Sequence, residues 1–225
     1  RRNIFLDDPD KENFLARLGR IISDTETPLY AWALLDNHFH LLLKTGNVPV
    51  ATLMRRLLTG YVVSFNLRHD RAGTLFQNRY KSILCQEDPY LKELVRYIHL
   101  NPIRAGMIEN LGALGQYAFC GHSLLAGKSE CDWQDDGYVL GYFGTHVDSA
   151  RRGYLAYVEE GLDMGRRPEL VGGGLVRSLG GWAGVKKMRQ QGMDRIKESA
   201  NEYYNYLQIV NQGEKAKYAH QRLVK

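Results

Sequence analysis

The tripeptide His38-Phe39-His40 opens a short apolar run that ends at Leu43. In a strand, residues two apart point to the same side, so both imidazoles project together while Phe39 packs on the opposite face. Two convergent imidazoles suit a divalent metal, although two alone do not complete its shell. The competing possibility is a histidine pair on a solvated sheet face. Against it, the run is Leu-rich and reads as a largely buried strand, where imidazoles need partners. A second group lies on the segment from Pro89 to Leu100, where Leu91, Leu94, Val95 and Ile98 form an apolar helical stripe. Tyr90, Glu93, Tyr97 and Asn101 fall on a flanking face, since steps of three or four residues nearly complete a turn. The Tyr97 phenol could act as a nucleophile toward phosphorus if a metal and basic groups oppose its high pKa. Asn101 could give a third metal ligand through its side-chain oxygen. The plainer alternative is a tyrosine at the core rim and an asparagine capping the helix before Pro102.

The elements that must position these residues are legible from local signals. Asp8-Pro9-Asp10 starts a helix, with proline in the first turn and acids at the positive end of the dipole. Phe14, Leu15, Leu18, Ile21 and Ile22 carry that helix to about Ser23. After Thr27-Pro28, the continuous apolar run Leu29 to Leu35 and the run Phe39 to Leu43 read as buried strands. Asp36-Asn37 between them is a turn signal, though Asn37 could equally begin the second strand. Val50 to Leu67 repeats Leu53, Leu57, Leu58, Tyr61, Val62 and Phe65 as a helix, with Arg55 and Arg56 elsewhere on the wheel. Leu75 to Leu84 suggests an extended arm or edge strand. Glu87-Asp88-Pro89 starts the tyrosine helix and Asn101-Pro102 ends it. Beyond Gly106 the chain is glycine-rich and reads as a connector; Thr145 to Gly161 reads as a helix. Met193, Ile196, Ala200, Tyr203, Tyr204, Leu207 and Val210 predict one more amphipathic helix.

Bulk properties narrow the field. The 225 residues carry 30 Lys+Arg against 25 Asp+Glu, with an isoelectric point near 9.0. That balance is compatible with a polyanionic partner without requiring one. Between positions 55 and 104, Arg55, Arg56, Arg68, Arg71, Arg79, Lys81, Lys92, Arg96 and Arg104 face only Asp70, Glu87, Asp88 and Glu93. The basic excess is therefore concentrated beside the candidate site. Cys85, Cys120 and Cys131 have neither an even count nor metal-ligand spacing, which disfavours a disulfide framework or zinc ribbon and fits a reducing cytoplasm. No apolar run approaches the roughly 20 residues needed to cross a bilayer.

Two blocks together resemble a known family. Tyr30-Ala31-Trp32-Ala33-Leu34-Leu35-Asp36-Asn37-His38-Phe39-His40-Leu41-Leu42 and Val95-Arg96-Tyr97-Ile98-His99-Leu100-Asn101-Pro102-Ile103-Arg104-Ala105-Gly106 are similar to the signature blocks of single-tyrosine HUH transposases. The branch associated with repetitive extragenic palindromes is the nearest in pattern, and Gly73-Thr74-Leu75-Phe76-Gln77-Asn78-Arg79-Tyr80-Lys81-Ser82 resembles its linking block. The resemblance runs from about Arg2 to Ile108.

The resemblance implies His38 and His40 as metal ligands completed by Asn101, Tyr97 as nucleophile, and Mg²⁺ or Mn²⁺ as the cation. It implies cleavage and rejoining of single-stranded or hairpin DNA through a 5′-phosphotyrosine link. The implied fold is α+β: a ferredoxin-like antiparallel sheet with helices on one face. The resulting division is a nuclease domain over 1–110, a connector over 111–144 and a mainly helical C-terminal extension over 145–225. Such domains usually open with a strand before the first helix; here that strand is expected to be missing or outside the chain, leaving an uncovered sheet edge. Arg55, Arg56, Arg79, Lys81 and Arg104 are candidate phosphate contacts, with Tyr80 or Phe76 available to stack on a base. In the tail, Gly174 to Arg189 could form a helix-turn-helix-like unit, with Lys186, Lys187 and Arg189 meeting DNA, or equally a helical pair covering the sheet. A non-catalytic DNA-binding protein and a relaxase-type nicking enzyme are the rival classes. Monomer and homodimer stay open.

Overall fold

The computed structural model describes residues 2–44, 46–77, 80–85, 88–164 and 206–212. The first helix, α1 (Asp8–Thr25), starts where the acid-proline signal predicts: Asp7 is its N-cap and accepts from the Asp10 backbone N–H. It stops at Glu26, which takes a left-handed conformation and turns its N–H back to Ile22 and Ser23. Strands β1 (Leu29–Leu35) and β2 (His38–Lys44) pair antiparallel, Leu35 opposite His38, so Asp36-Asn37 is the turn. Then follow α2 (Val50–Arg68), β3 (Lys81–Cys85) and the tyrosine helix α3 (Asp88–His99). Leu100 stays in the right-handed region and a one-turn helix, α4 (Asn101–Arg104), continues beyond it. Proline at its start lacks a donor the turn does not need.

The two strands are buried because cores lie on both sides. Leu29, Trp32, Leu34, Phe39, Leu41 and Leu43 pack with α1 and α2. Tyr30, Ala31, Ala33, Leu35 and Leu42 pack with α3 and the later helices. The expected α+β class and antiparallel sheet stand, but helices cover both faces rather than one.

The later chain is short helices α5 (Leu111–Leu114), α6 (His122–Leu125) and α7 (Asp136–Leu140), then α8 (Val147–Glu159) and a turn of 3₁₀ helix over Leu162–Met164. Residues 119–121 run along the outer edge of β1: Leu34 N–H donates to Phe119, Gly121 N–H to Trp32, and Ala33 bridges Cys120. That edge is therefore covered.

The predicted helix over 193–210 needs correction from Tyr206 on, while 193–205 lie outside the described residues. Tyr206–Gln212 is a strand, β4, in a sheet of order β1-β2-β4-β3, pairing antiparallel with β2 on one side and β3 on the other. Tyr203, Tyr204, Leu207 and Val210 fit a helical stripe, yet Ile209 and Val210 also suit a pleat, and pairing on both edges decides between them. No strand precedes α1 among the described residues; Ile4 and Phe5 instead donate backbone N–H groups to the Asp36 carbonyl. The place beside β2 is taken by β4. The predicted arm over Leu75 to Leu84 is a strand only from Lys81, at the sheet edge. The helix-turn-helix-like segment 174–189, with Lys186, Lys187 and Arg189, lies outside the described residues. No helix among those described is long and apolar enough to cross a membrane.

A buried polar triad joins α3 to α6 and α8. His99 Nδ1 lies 2.8 Å and His122 Nδ1 2.6 Å from the Tyr154 hydroxyl. One O–H can donate only once, so one imidazole accepts from Tyr154 and the other donates to it. Burial holds His99 well below the ordinary histidine pKa and brings His122 down to about 4. Both imidazoles are thus neutral in the fold and bind protons more readily when unfolded. The stability they contribute is complete above pH 6.5 and is lost as pH falls toward 4. Thermal unfolding between pH 7.5 and 5 should show a loss of about 2 kcal/mol from His122, and His122→Gln should flatten that dependence.

Candidate functional site

Because Phe39, Leu41 and Leu43 point into the α1/α2 core, alternation sends His38 and His40 to the other face, toward α3. The two imidazole centroids are 5.0 Å apart. His40 is only 2% exposed, and neither of its ring nitrogens has a hydrogen-bond partner among the described residues. His38 is half-buried, and its Nδ1 lies 2.6 Å from the Asn37 side-chain oxygen. That contact fixes Nδ1 as the protonated nitrogen when the ring is neutral and leaves Nε2 as its lone-pair donor. Burial, then the neighbouring His38, holds His40 well below the ordinary histidine pKa. It is therefore neutral, the form that binds a metal. A buried imidazole with two unsatisfied nitrogens costs roughly 1–3 kcal/mol, and such an arrangement fits a divalent cation.

Tyr97 arrives on α3 with its ring centroid 5.8 Å from that of His40, edge to face at 89°. It is 8% exposed. Burial raises its pKa, while the Asn101 side chain and the Arg104 charge pull in the opposite direction. Asn101, one turn on, donates its amide to the Tyr97 backbone carbonyl at 2.8 Å. Arg104, two turns on, holds its guanidinium 5.6 Å from the centre of the Tyr97 ring. The structure therefore gathers His38, His40, Tyr97, Asn101 and Arg104.

The other predicted residues stand elsewhere. Arg55 and Arg56 are on α2, in the layer behind the imidazole face, and Arg56 is engaged with Asp24 at 2.6 Å. Lys81 opens β3 in register with Val210, which is itself opposite His40. Phe76 packs within the α1/α2 core, where its ring meets Phe39 and Tyr61, and Tyr80 is also packed against that core. Arg79 lies outside the described residues, as do Lys186 and Lys187.

Sequence reasoning missed a second titratable cluster. Asp7, Asp10 and His69 bring three ligand-type atoms within 4.8 Å of one another. Arg68 already bonds both carboxylates at 2.6 Å, and His69 Nε2 lies 2.9 Å from Asp10. Arg68 holds the Asp7 carboxyl below its usual range. Asp10 also accepts the Leu6 N–H. This is an ion-pair clamp between the start of α1 and the end of α2, a contact nearly sixty residues apart that no local pattern reveals. A cleft of about 340 Å³ beside Glu26, Asp132, Trp133 and Asp135 contains none of the site residues.

Residues 1–101 match a family described as "Transposase IS200 like". The match covers strands β1 to β3, the imidazole pair and the tyrosine helix, but not β4, and supports a transposase-type enzyme that processes DNA. It ends at Asn101, before Arg104 and the segment 111–164. No curated protein and no solved structure gives a significant match to the chain. Asp10→Asn should lower stability by about 1–3 kcal/mol, because it weakens the bonds to Arg68 and His69. The same variant should leave the Mn²⁺-induced rise in melting temperature unchanged; its loss would make the clamp a metal site.

Proposed function

We propose that this chain cuts and rejoins single-stranded DNA with Tyr97 as nucleophile. The observation that carries the reading is the contact between the Tyr97 ring and His40, a buried imidazole neither of whose nitrogens has a hydrogen-bond partner among the described residues. A phenol beside such a buried imidazole suits phosphoryl transfer better than structural packing, because packing alone would favour an apolar residue at position 40.

In the forward step the Tyr97 oxygen attacks phosphorus and the bond from phosphorus to the 3′ oxygen breaks. The phenol proton is lost and the leaving oxygen gains one, giving a free 3′-hydroxyl and a 5′-phosphotyrosine link. Attack by a 3′-hydroxyl on that link reverses the exchange, so strands can be joined without another energy source. His38, His40 and Asn101 would hold Mg²⁺ or Mn²⁺, whose charge would polarise the phosphate. Mn²⁺ accepts imidazole nitrogen more readily than Mg²⁺, which favours an all-oxygen octahedron. Arg104 presents positive charge at the Tyr97 ring and favours the phenolate, against the burial that raises its pKa.

The sequence blocks favour the branch associated with repetitive extragenic palindromes, hence hairpin DNA as substrate. The same likeness supports a nuclease unit over 1–110, although residues 111–144, expected to connect it to an extension over 145–225, pack into its core, and β4 of that extension joins its sheet. Lys81, whose register position on β3 lies across Val210 from His40, and Arg79 are kept as phosphate contacts, whereas Arg55 and Arg56 fit only DNA that wraps behind the sheet. Lys186 and Lys187 fit additional phosphate contacts from the tail.

Two measurements test the reading. Purified protein with a 3′-labelled hairpin and Mn²⁺ should give a labelled covalent adduct on a denaturing gel, and Tyr97→Phe should reduce it by more than about 10³-fold. No adduct from the wild type, or an undiminished one from the variant, sinks the proposal. Separately, Mn²⁺ should raise the melting temperature of the wild type, as any ligand of the folded state does. His40→Ala should abolish that rise.

A further inference from the structure

The helix that carries Tyr97 is gripped from outside the matched region. Arg96, 3% exposed, donates from Nη2 to both Glu93 oxygens at 2.6 and 2.8 Å and from Nη1 to the Tyr157 carbonyl at 3.1 Å. Its guanidinium lies 4.0 Å from the centre of the Tyr157 ring. The Tyr157 hydroxyl donates to Glu93 at 2.6 Å. One turn beyond Tyr157, the Gly161 carbonyl accepts from Arg104 Nη2 at 3.2 Å. The chain passes so near α3 there that a Cβ on Gly161 would stand 2.6 Å from Arg96 Cδ and 2.9 Å from Leu100 Cδ1.

An apolar stripe lets a helix roll by several degrees at little cost, because dispersion is non-directional. A planar guanidinium bonded on two edges does not, since its hydrogen bonds and ring stacking fix an orientation. Tyr97 follows Arg96, so the two side chains leave the helix about 100° apart. Holding Arg96 against α8 therefore sets the direction in which Tyr97 points. The tie from Gly161 to Arg104 fixes the cation that stands over the Tyr97 ring.

We propose that α8 and its exit at Gly161 form a brace that sets the rotation of the Tyr97 helix, making Arg96 and Tyr157 positioning residues for strand cleavage. The inference rests on Tyr97 being the nucleophile. Tyr157→Phe keeps the ring over Arg96 and removes the hydroxyl that bonds Glu93. Gly161→Ala deletes no hydrogen-bonding side chain and pushes a methyl against Arg96 and Leu100.

In single-turnover adduct formation across a range of hairpin DNA concentrations with Mn²⁺, both variants should lower the maximal rate about tenfold, as expected for a misaligned nucleophile. The half-saturating DNA concentration should stay at the wild-type value. Amide hydrogen exchange over residues 91–100 should accelerate while α1 remains unchanged. A wild-type maximal rate in both variants overturns the brace, as does a loss expressed only as weaker DNA saturation, which would place Tyr157 in DNA contact. If the wild type forms no adduct, the nucleophile reading fails by itself. Exchange then decides the brace: unchanged α3 protection in both variants overturns it, and faster exchange confined to α3 supports it.

Discussion

The sandwiching of β2 between two hydrophobic cores governs everything at the site. Phe39, Leu41 and Leu43 enter one core, and Leu42 enters the other. A strand's two-residue period then leaves His38 and His40 no choice of direction: both face the layer that contains α3. Slipping β2 by one residue against β1 would exchange the faces, placing imidazoles among Phe14, Leu18 and Tyr61. Register is therefore enforced by more than a dozen apolar side chains, and the imidazole pair inherits that rigidity. The cost is His40, a polar ring desolvated with nothing to bond among the described residues. A natural core tolerates such a group where something outside the polypeptide completes it.

The same constraint separates what could be read from the sequence from what could not. α1, β1, β2, α2 and α3 are specified by neighbours: Asp7 and Pro9 at a helix start, a continuous apolar run in β1, a stripe in α3. Their bounds fall within a few residues of expectation. Strand β4 is specified by distant partners. Tyr203, Tyr204, Leu207 and Val210 satisfy a helical period, whereas what makes Tyr206–Gln212 a strand is the unpaired edge of β2 and of β3. Helices on both faces follow similarly, for the unbroken run in β1 marks two-sided burial without identifying which segment supplies the second layer. Of the site, the imidazole pair, Tyr97 and Asn101 are visible because each sits in a local pattern. The roles of Arg96, Tyr157 and Gly161 depend on contacts more than fifty residues apart.

Charge illustrates the difference between counting and placing. The segment from 55 to 104 holds nine basic residues against four acids, which suggests a broad positive surface for a polyanion. In the fold, Arg56 is paired with Asp24, Arg68 with Asp7 and Asp10, and Arg96 with Glu93. Three of those nine charges are engaged in ion pairs, two between α1 and α2 and one within α3, rather than facing solvent unopposed. Those pairs differ in weight: the exposed Arg56 pair contributes little, whereas the Asp10 and Arg96 pairs are partly desolvated and directional.

Residues 111–164 do two jobs with one connected piece of chain. Residues 119–121 hydrogen-bond along β1, and α8 grips α3 through Glu93, Arg96 and Tyr157. Leu114, Cys120, Leu125, Val139, Leu140, Tyr154 and Val158 lie in the same buried cluster as Tyr97 and Ile98. A segment tied at one end to the sheet that presents the imidazoles, and at the other to the helix that presents the phenol, constrains the distance between them. Neither tie alone would do so, since α3 could still roll on the sheet and β1 could still fray at its edge. The His99–Tyr154–His122 triad adds a third link, and because its two imidazoles must take opposite hydrogen-bonding roles about one hydroxyl, it resists sliding of α8 along α3. The imidazoles and the phenol therefore meet through geometry fixed by residues on both sides of position 101, and the candidate site of the first half depends on the packing of the second.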